Sequence, residues 1–177
     1  MPCCLVGSEM CIRDSILIGS GNPEEGELRP QLLDRFGLSV EVMTPDTVHE
    51  RIEIIQRRDQ YDNNPEGYVL DWQKENKKLR NKIQKARKNL NSVSVDNKIL
   101  ENCAEICIDL GSDGLRGELT LVRTARALAA LSNSSSVDKA ELRKIAPMAL
   151  SHRLRRDPLD DAGSGTRVAR SVEKIIG

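Results

Sequence analysis

Three successive segments between residues 94 and 149 carry apolar residues at the spacing of an α-helix. The first runs from Ser94 to Leu110 and is closed by Gly111, the second runs from Leu115 to Leu131, and the third starts at Ser136. Their predicted inward positions are Ile99, Cys103, Ile106 and Leu110, then Leu115, Leu119, Val122 and Ala129, then Leu142, Ile145 and Ala149. Because the chain contains only one Trp, two Tyr and one Phe, its core must be aliphatic. The pattern predicts a small all-α bundle.

Composition narrows the possible functions. The chain has 177 residues, enough for one domain or two small ones, and its formal net charge is zero. A neutral chain has no overall field that would attract nucleic acid, so we expect no nucleic-acid partner. No apolar run approaches the roughly 20 residues that cross a bilayer, so we expect no membrane span.

The first fifteen residues are unlike the rest. Their apolar stretch is too short for a signal peptide and is flanked by Glu9 and Asp14, so we interpret residues 1–15 as foreign sequence. Cys103 and Cys107 lie four residues apart on a predicted helix. With no neighbouring Cys or His cluster to supply two more ligands, we predict buried thiols and no metal site.

The segment from Ile16 onward has the pattern of an open α/β sheet. Ile16–Gly21 is predicted as a strand that delivers Asn22 into a Gly-rich turn, Leu28–Arg35 as a short helix, and Leu38–Val42 as a second strand. A polar side chain at the carboxyl end of a buried strand is how such sheets present groups to ligands.

Two further helices are predicted before the bundle. One begins at Thr44-Pro45-Asp46 and ends at Asn63-Asn64-Pro65, with Val48, Ile52 and Ile55 on its inner face. The other runs from about Glu66 to Leu90 and carries eight Lys or Arg and one acid between Lys74 and Lys88. This basic helix is either a solvated linker or a contact surface for an acidic partner.

Several residues could carry chemistry. Asn22 is either a turn residue or a group that orients water at a phosphate. Asp34 and Arg35 form either a helix-end ion pair or a phosphate-recognising guanidinium with its acid. Arg116 opens a helix, where it is either a surface residue or a phosphate ligand. A basic cluster is interpreted as a solvated turn, with phosphate or subunit contact as the alternative: His152, Arg153, Arg155 and Arg156.

The run GSGNPEEGELRPQLLDRFGLSVEV resembles the I-type ATPase subunits of magnesium chelatases, a family of AAA+ proteins. The resemblance continues through RIEIIQRRDQYD, ICIDLGSDGLRGELTLVRTARALAAL and MALSHRLRRDPLDDAGS, and it covers nearly the whole chain from Ile16. It implies an α/β remnant of an AAA+ P-loop ATPase core followed by an all-α helical lid. The implied divisions are the end of the core at 16–65, a linker helix at 66–92, the lid at 93–159 and a mobile tail at 160–177.

The resemblance also implies roles for individual residues. Asn22 matches the sensor-1 position, Arg35 the arginine finger with Asp34 orienting it, and Arg116 the sensor-2 position; ATP and Mg²⁺ are the implied cofactors. The implied function is the motor that couples ATP hydrolysis to insertion of Mg²⁺ into protoporphyrin IX in chlorophyll or bacteriochlorophyll synthesis. It would work as a ring of like subunits with a second AAA+ subunit and a large porphyrin-binding subunit, in the bacterial cytoplasm or a plastid stroma.

Two elements of the family are missing from this sequence. It contains neither a G-x-x-x-x-G-K-[ST] loop nor an apolar strand ending in Asp-Glu, both of which the family carries upstream of the matching region. We therefore expect an N-terminally truncated piece that hydrolyses no ATP on its own. Two alternatives stay open: a MoxR-type AAA+ remodelling ATPase, which would share Asn22, Arg35 and Arg116 but not the full PEEGELRPQLLDRFG run, and a non-catalytic helical interaction module.

Overall fold

A computed structural model describes residues 16–22, 29–112, 114–154 and 163–177. The predicted foreign segment 1–15, residues 23–28, the predicted basic residues Arg155 and Arg156, and residues 160–162 of the predicted tail lie outside these ranges. The described residues contain eight α-helices and two short 3₁₀ turns, at Leu90–Ser92 and Ser151–Arg153. The helices are α1 Pro30–Leu33, α2 Val48–Asn63, α3 Pro65–Asp71, α4 Gln73–Asn89, α5 Asn97–Asp109, α6 Arg116–Leu131, α7 Lys139–Leu150 and α8 Gly163–Ile176.

The two predicted strands do not form. Residues 16–21 and 38–42 form no strand, and the one β-bridge among the described residues joins Ser94 to Ser136. A strand exists only where a neighbouring edge completes its hydrogen bonds, and no described segment offers one. The Ser39 N–H instead donates to the Met148 carbonyl oxygen at 2.8 Å, so this part of the chain lies against the helical bundle.

The predicted helical bundle is confirmed, and α5 to α8 build it. Its buried apolar side chains are aliphatic, and several are fully inaccessible, among them Ile106, Leu121, Leu142, Leu150 and Val168. Local signals set the helix ends. Asp138 and Glu141 form a reciprocal capping box at the start of α7, and Gly111, with φ of 65°, ends α5.

The predicted buried thiols are also found. Cys103 and Cys107 are each about 1% exposed and are free. Burial, with a smaller contribution from the nearby Glu118 carboxylate, raises the pKa of both thiols to about 12. They are therefore inert thiols of the core at physiological pH.

The inward face of α6 differs from the prediction at Leu115 and Leu119, whereas Ala129 is buried as predicted. Leu115 and Leu119 are 74% and 52% exposed, and the buried stripe is Gly117, Leu121, Ala125 and Ala129. A Cβ atom at Gly117 would lie 2.9 Å from the Ser112 Oγ and 3.3 Å from the Cys107 Sγ. Gly117, Ala125 and Ala129 let α6 approach its neighbours closely, so this face, which also carries Leu121, turns inward and the face with Leu115 and Leu119 turns outward.

The predicted mobile tail is wrong for residues 163–177. Those residues form α8, which buries Val168, Val172 and Ile176 against the bundle. The Asp109 carboxylate of α5 accepts hydrogen bonds from Ser171 at 2.7 Å and from Lys174 at 2.5 Å. Burial of apolar residues at helical spacing stabilises this helix despite the Gly- and Ser-rich start of the segment.

Helices α2, α3 and α4 lie outside the core. Thr47, not Thr44, is the N-cap of α2, and the predicted inner-face residues Val48, Ile52 and Ile55 are exposed. The predicted long helix from Glu66 is divided at Trp72 into α3 and α4. Only Ala86 of α4 is buried, so this helix joins the bundle by its last turns. None of the helices described here is long and apolar enough to cross a membrane.

The orientation of α6 can be tested with two leucines on that helix. Leu121→Ala should lower the free energy of unfolding by about 2–5 kcal/mol, because it leaves a cavity in the core. The matched control Leu119→Ala should change it by less than about 0.5 kcal/mol, because that side chain is mostly exposed. Urea unfolding followed by circular dichroism makes the comparison. Equal losses for the two variants would contradict this orientation.

Candidate functional site

The candidate site is built around the carboxylate of Asp34, which receives two arginines from the bundle. The short helix α1 is followed by a tight turn in which the Arg35 and Phe36 amides donate to the Leu32 and Leu33 carbonyl oxygens at 3.0 and 3.1 Å. This turn points Asp34 toward the bundle, where Arg116 bonds Oδ2 and Arg153 bonds Oδ1. Arg116 and Arg153 lie 82 and 119 positions after Asp34 in the sequence, and the fold brings both to its carboxylate.

Arg153 binds the backbone of the turn as well as the Asp34 carboxylate. It donates from Nη1 to Asp34 Oδ1 at 2.6 Å and to the Asp34 carbonyl oxygen at 2.9 Å, and from Nη2 to the Phe36 carbonyl oxygen at 2.8 Å. Its Nε donates to the Ala149 carbonyl oxygen of α7 at 3.0 Å. The side chain is only 4% exposed, which requires this pairing, because an unpaired buried charge is strongly unfavourable.

Arg116 is the first residue of α6 and is half exposed, as is Asp34. A surface ion pair of this kind contributes at most about 1 kcal/mol to stability. Asp34 therefore keeps Arg116 near the turn without locking it there. A stronger anion, such as a phosphate, could compete for the guanidinium.

His152 adds a further contact. Its Nε2 lies 3.0 Å from the Phe36 carbonyl oxygen, which can only accept, so Nε2 carries the proton. Its Nδ1 is buried without a partner among the described residues. Burial lowers the pKa of His152; the Arg153 charge lowers it further, while the Phe36 hydrogen bond and the Asp34 charge oppose this. The ring is therefore neutral at pH 7.

The predicted site residues divide into two groups. Asp34 and Arg116 are brought together by the fold. Arg35 points outward: it is exposed and makes no ion pair within the described part of the chain. Asn22 lies in the exposed segment 16–22, which has no regular secondary structure, and its predicted role stays a prediction.

The sequence interpretation missed Arg153 and His152. Both were interpreted as parts of a solvated basic turn, yet both contact the turn at residues 34–36. The residues next to them in sequence do not indicate these contacts, because the acceptor atoms belong to residues more than a hundred positions away. Among the described residues, no group of three or more His, Cys, Asp or Glu side chains could hold a metal ion.

Comparison with known proteins first defines the class. Residues 100–175 match the AAA lid domain family, which covers α5 to α8 except for the first turn of α5. A solved structure from Cytophaga hutchinsonii, titled as a suggested ATPase, superposes with a TM-score of 0.60 over 86% of this chain and 49% of its own, at 18% identity. The helical bundle therefore has the fold of an AAA lid.

The similarity to individual curated proteins is more specific than the match to a domain family. The chain is 58% identical over 161 residues to the magnesium-chelatase 38 kDa subunit of Rhodobacter capsulatus, covering 91% of this chain and 46% of that protein. It is 56% identical to the Cereibacter sphaeroides 38 kDa subunit, with 91% and 48% covered, and 42% identical to the chloroplastic magnesium-chelatase subunit ChlI of Nicotiana tabacum, with 91% and 38% covered. The predicted resemblance to the magnesium-chelatase ATPase subunits is thereby confirmed. The chain spans about half the length of the curated relatives it matches.

The buried imidazole predicts a pH dependence of stability. Because burial holds the pKa of His152 below its unfolded value of about 6.5, the unfolded chain binds more protons, and the free energy of unfolding should fall as the pH drops from 7 toward 5.5. His152→Gln, which can still donate to the Phe36 carbonyl oxygen, should reduce this slope, and His49→Gln at an exposed position is the control. Urea unfolding across the pH range measures it. An unchanged slope in the His152 variant would contradict the assignment.

Proposed function

We propose that the full-length protein is the ATPase motor subunit of magnesium chelatase. It would hydrolyse ATP to drive insertion of Mg²⁺ into protoporphyrin IX in chlorophyll or bacteriochlorophyll synthesis. The observation that carries the proposal is 58% identity over 161 residues to a magnesium-chelatase 38 kDa subunit. Identity at this level across core segment, linker and lid favours the chelatase over a MoxR-type remodelling ATPase or a non-catalytic helical module.

Arg35 is proposed as the arginine finger of this subunit. Two features support the role. Its guanidinium is exposed and has no acid partner in the described part of the chain. The neighbouring Asp34 carboxylate is already engaged by Arg116 and Arg153 and so does not neutralise it. An unneutralised guanidinium on a fixed turn suits stabilisation of the charge that develops on a γ-phosphate in an adjacent subunit.

Arg116 is proposed to contact the phosphates of ATP, and Asn22 to orient the attacking water. Arg116 stands at the N-terminus of a sixteen-residue helix, where the helix dipole also favours an anion. Its guanidinium pairs with Asp34, so phosphate binding would exchange one anion for another. ATP would bring its Mg²⁺; no residue described here is assigned to the metal.

The proposed partners follow from the same relatives. The subunit would form a ring of like copies, and act with a second AAA+ chelatase subunit and a large subunit that holds the porphyrin. The relatives include bacterial and chloroplastic proteins, so the proposed location is the bacterial cytoplasm or the plastid stroma.

The finger role is tested in the full-length subunit. Arg35→Ala should reduce ATP turnover by roughly 10³-fold or more and leave ATP affinity and ring assembly intact, because a finger acts on the transition state of the neighbouring site. Arg29→Ala, at the other end of α1, is the matched control. Mixing the Arg35 variant with a P-loop variant should restore part of the activity. Weaker ATP binding with unchanged turnover per bound nucleotide would rule out a finger.

The role of Arg116 has its own test. Arg116→Ala should abolish chelatase activity and the nucleotide-dependent change in the lid, while stability changes by no more than about 1 kcal/mol, because the ion pair with Asp34 is exposed. Hydrogen exchange of residues 110–131, with and without a non-hydrolysable ATP analogue, reports the lid response. The exposed Arg123→Ala on the same helix should respond as the parent does. A nucleotide response that survives in the Arg116 variant would make Arg116 an ordinary surface residue.

A further inference from the structure

The guanidinium of Arg153 spans the two peptide carbonyls that flank Arg35. Nη1 bonds the Asp34 carbonyl oxygen, on the N-terminal side of Arg35, and Nη2 bonds the Phe36 carbonyl oxygen, on its C-terminal side. The guanidinium is planar and rigid, so these two bonds set the separation and direction of the carbonyls together. The backbone of Arg35 is thereby clamped between them.

The same side chain is anchored at its other end to the lid. Nε donates to the Ala149 carbonyl oxygen in the last turn of α7, and Ala149 is fully buried. Arg153 is itself 4% exposed, so it has little room to rotate away. The lid core, the Arg153 guanidinium and the Arg35 backbone therefore form one continuous rigid path.

We propose that Arg153 is a positioning residue for Arg35, so that the lid of a subunit sets where that subunit's own finger is held. The inference rests on the proposed finger role of Arg35. When the lid shifts, the carbonyls of residues 34 and 36 shift with it, and the exposed Arg35 side chain changes its aim at the neighbouring subunit. Arg153 itself contacts neither nucleotide nor porphyrin in this proposal.

Lysine cannot reproduce this clamp. The three donors of an ammonium group all lie on one nitrogen, whereas Arg153 serves four acceptor atoms from three different nitrogens. Arg153→Lys keeps the positive charge opposite Asp34 and most of the side-chain volume, so it separates loss of the clamp from loss of charge. Arg143→Lys is the matched control, because Arg143 also lies on the lid but pairs with Glu173 at 3.2 Å, away from the turn.

The experiment uses steady-state ATP hydrolysis by the assembled full-length subunit. A misplacement of about 1 Å at a catalytic group can lower a rate about 100-fold, so Arg153→Lys should lower kcat by roughly that factor while KM for ATP stays within about threefold. Arg153→Gln should behave in the same way, and Arg143→Lys should keep kcat within about twofold. Because Arg153 would act only through Arg35, the double variant Arg35→Ala/Arg153→Lys should be no slower than Arg35→Ala alone.

The possible outcomes distinguish the finger role of Arg35 from the positioning role of Arg153. If Arg35→Ala leaves turnover intact, the proposed finger role fails first. If Arg35→Ala abolishes turnover but folded Arg153→Lys stays within about threefold of the parent, or if the two losses multiply in the double variant, the positioning role is overturned. If circular dichroism shows both Arg153 variants unfolded at the assay temperature, the guanidinium is a structural requirement of the lid and the positioning role is also overturned.

Discussion

The shared carboxylate of Asp34 is the contact on which the arrangement of this chain depends. A buried guanidinium is tolerated only when its charge and its N–H groups are satisfied, and Asp34 with the carbonyls of residues 34 and 36 provides that satisfaction for Arg153. Removing the acid would leave a buried unpaired charge in the lid, whereas the exposed pair with Arg116 would be lost at little cost. One carboxylate thus makes a strong contact and a weak contact at once. The strong contact fixes the turn, and the weak one is open to exchange.

The lid that receives this contact is held by close packing of small and aliphatic residues. Gly117, Ala125 and Ala129 allow α6 to lie tightly against its neighbours, and the free thiols of Cys103 and Cys107 fill space that a larger side chain would overpack. The fourth helix, α8, is tied to α5 through Asp109 and closes the core. A dense bundle of this kind transmits a displacement of one helix to its neighbours.

The linker region is different in character. Helices α2 and α3 bury no residue, and their aromatic side chains pack on one another, with the Tyr61 and Tyr68 rings 5.8 Å apart. The basic residues of α4 are exposed, and Lys78 with Glu75 is the one ion pair of that helix among the described residues. The exposed basic residues fit both functions predicted for this helix, a solvated linker and a contact surface for an acidic partner.

The sequence by itself determined the elements whose signals are local. Helical periodicity located α5, α6 and α7, and the capping residues around Asp138 and Gly111 marked their ends. The run through LLDRFGL indicated the family and the candidates Asp34 and Arg35, and the run DGLRGEL indicated Arg116. The tertiary structure alone decided three matters. It left residues 16–21 and 38–42 without a partner strand, because a strand needs an edge that a local pattern cannot supply. It turned the small face of α6 inward, because close approach outweighs the greater hydrophobicity of Leu115 and Leu119. It also buried Arg153 against Asp34, because the energy of a buried ion pair comes from a partner 119 residues away that no local pattern around either residue specifies.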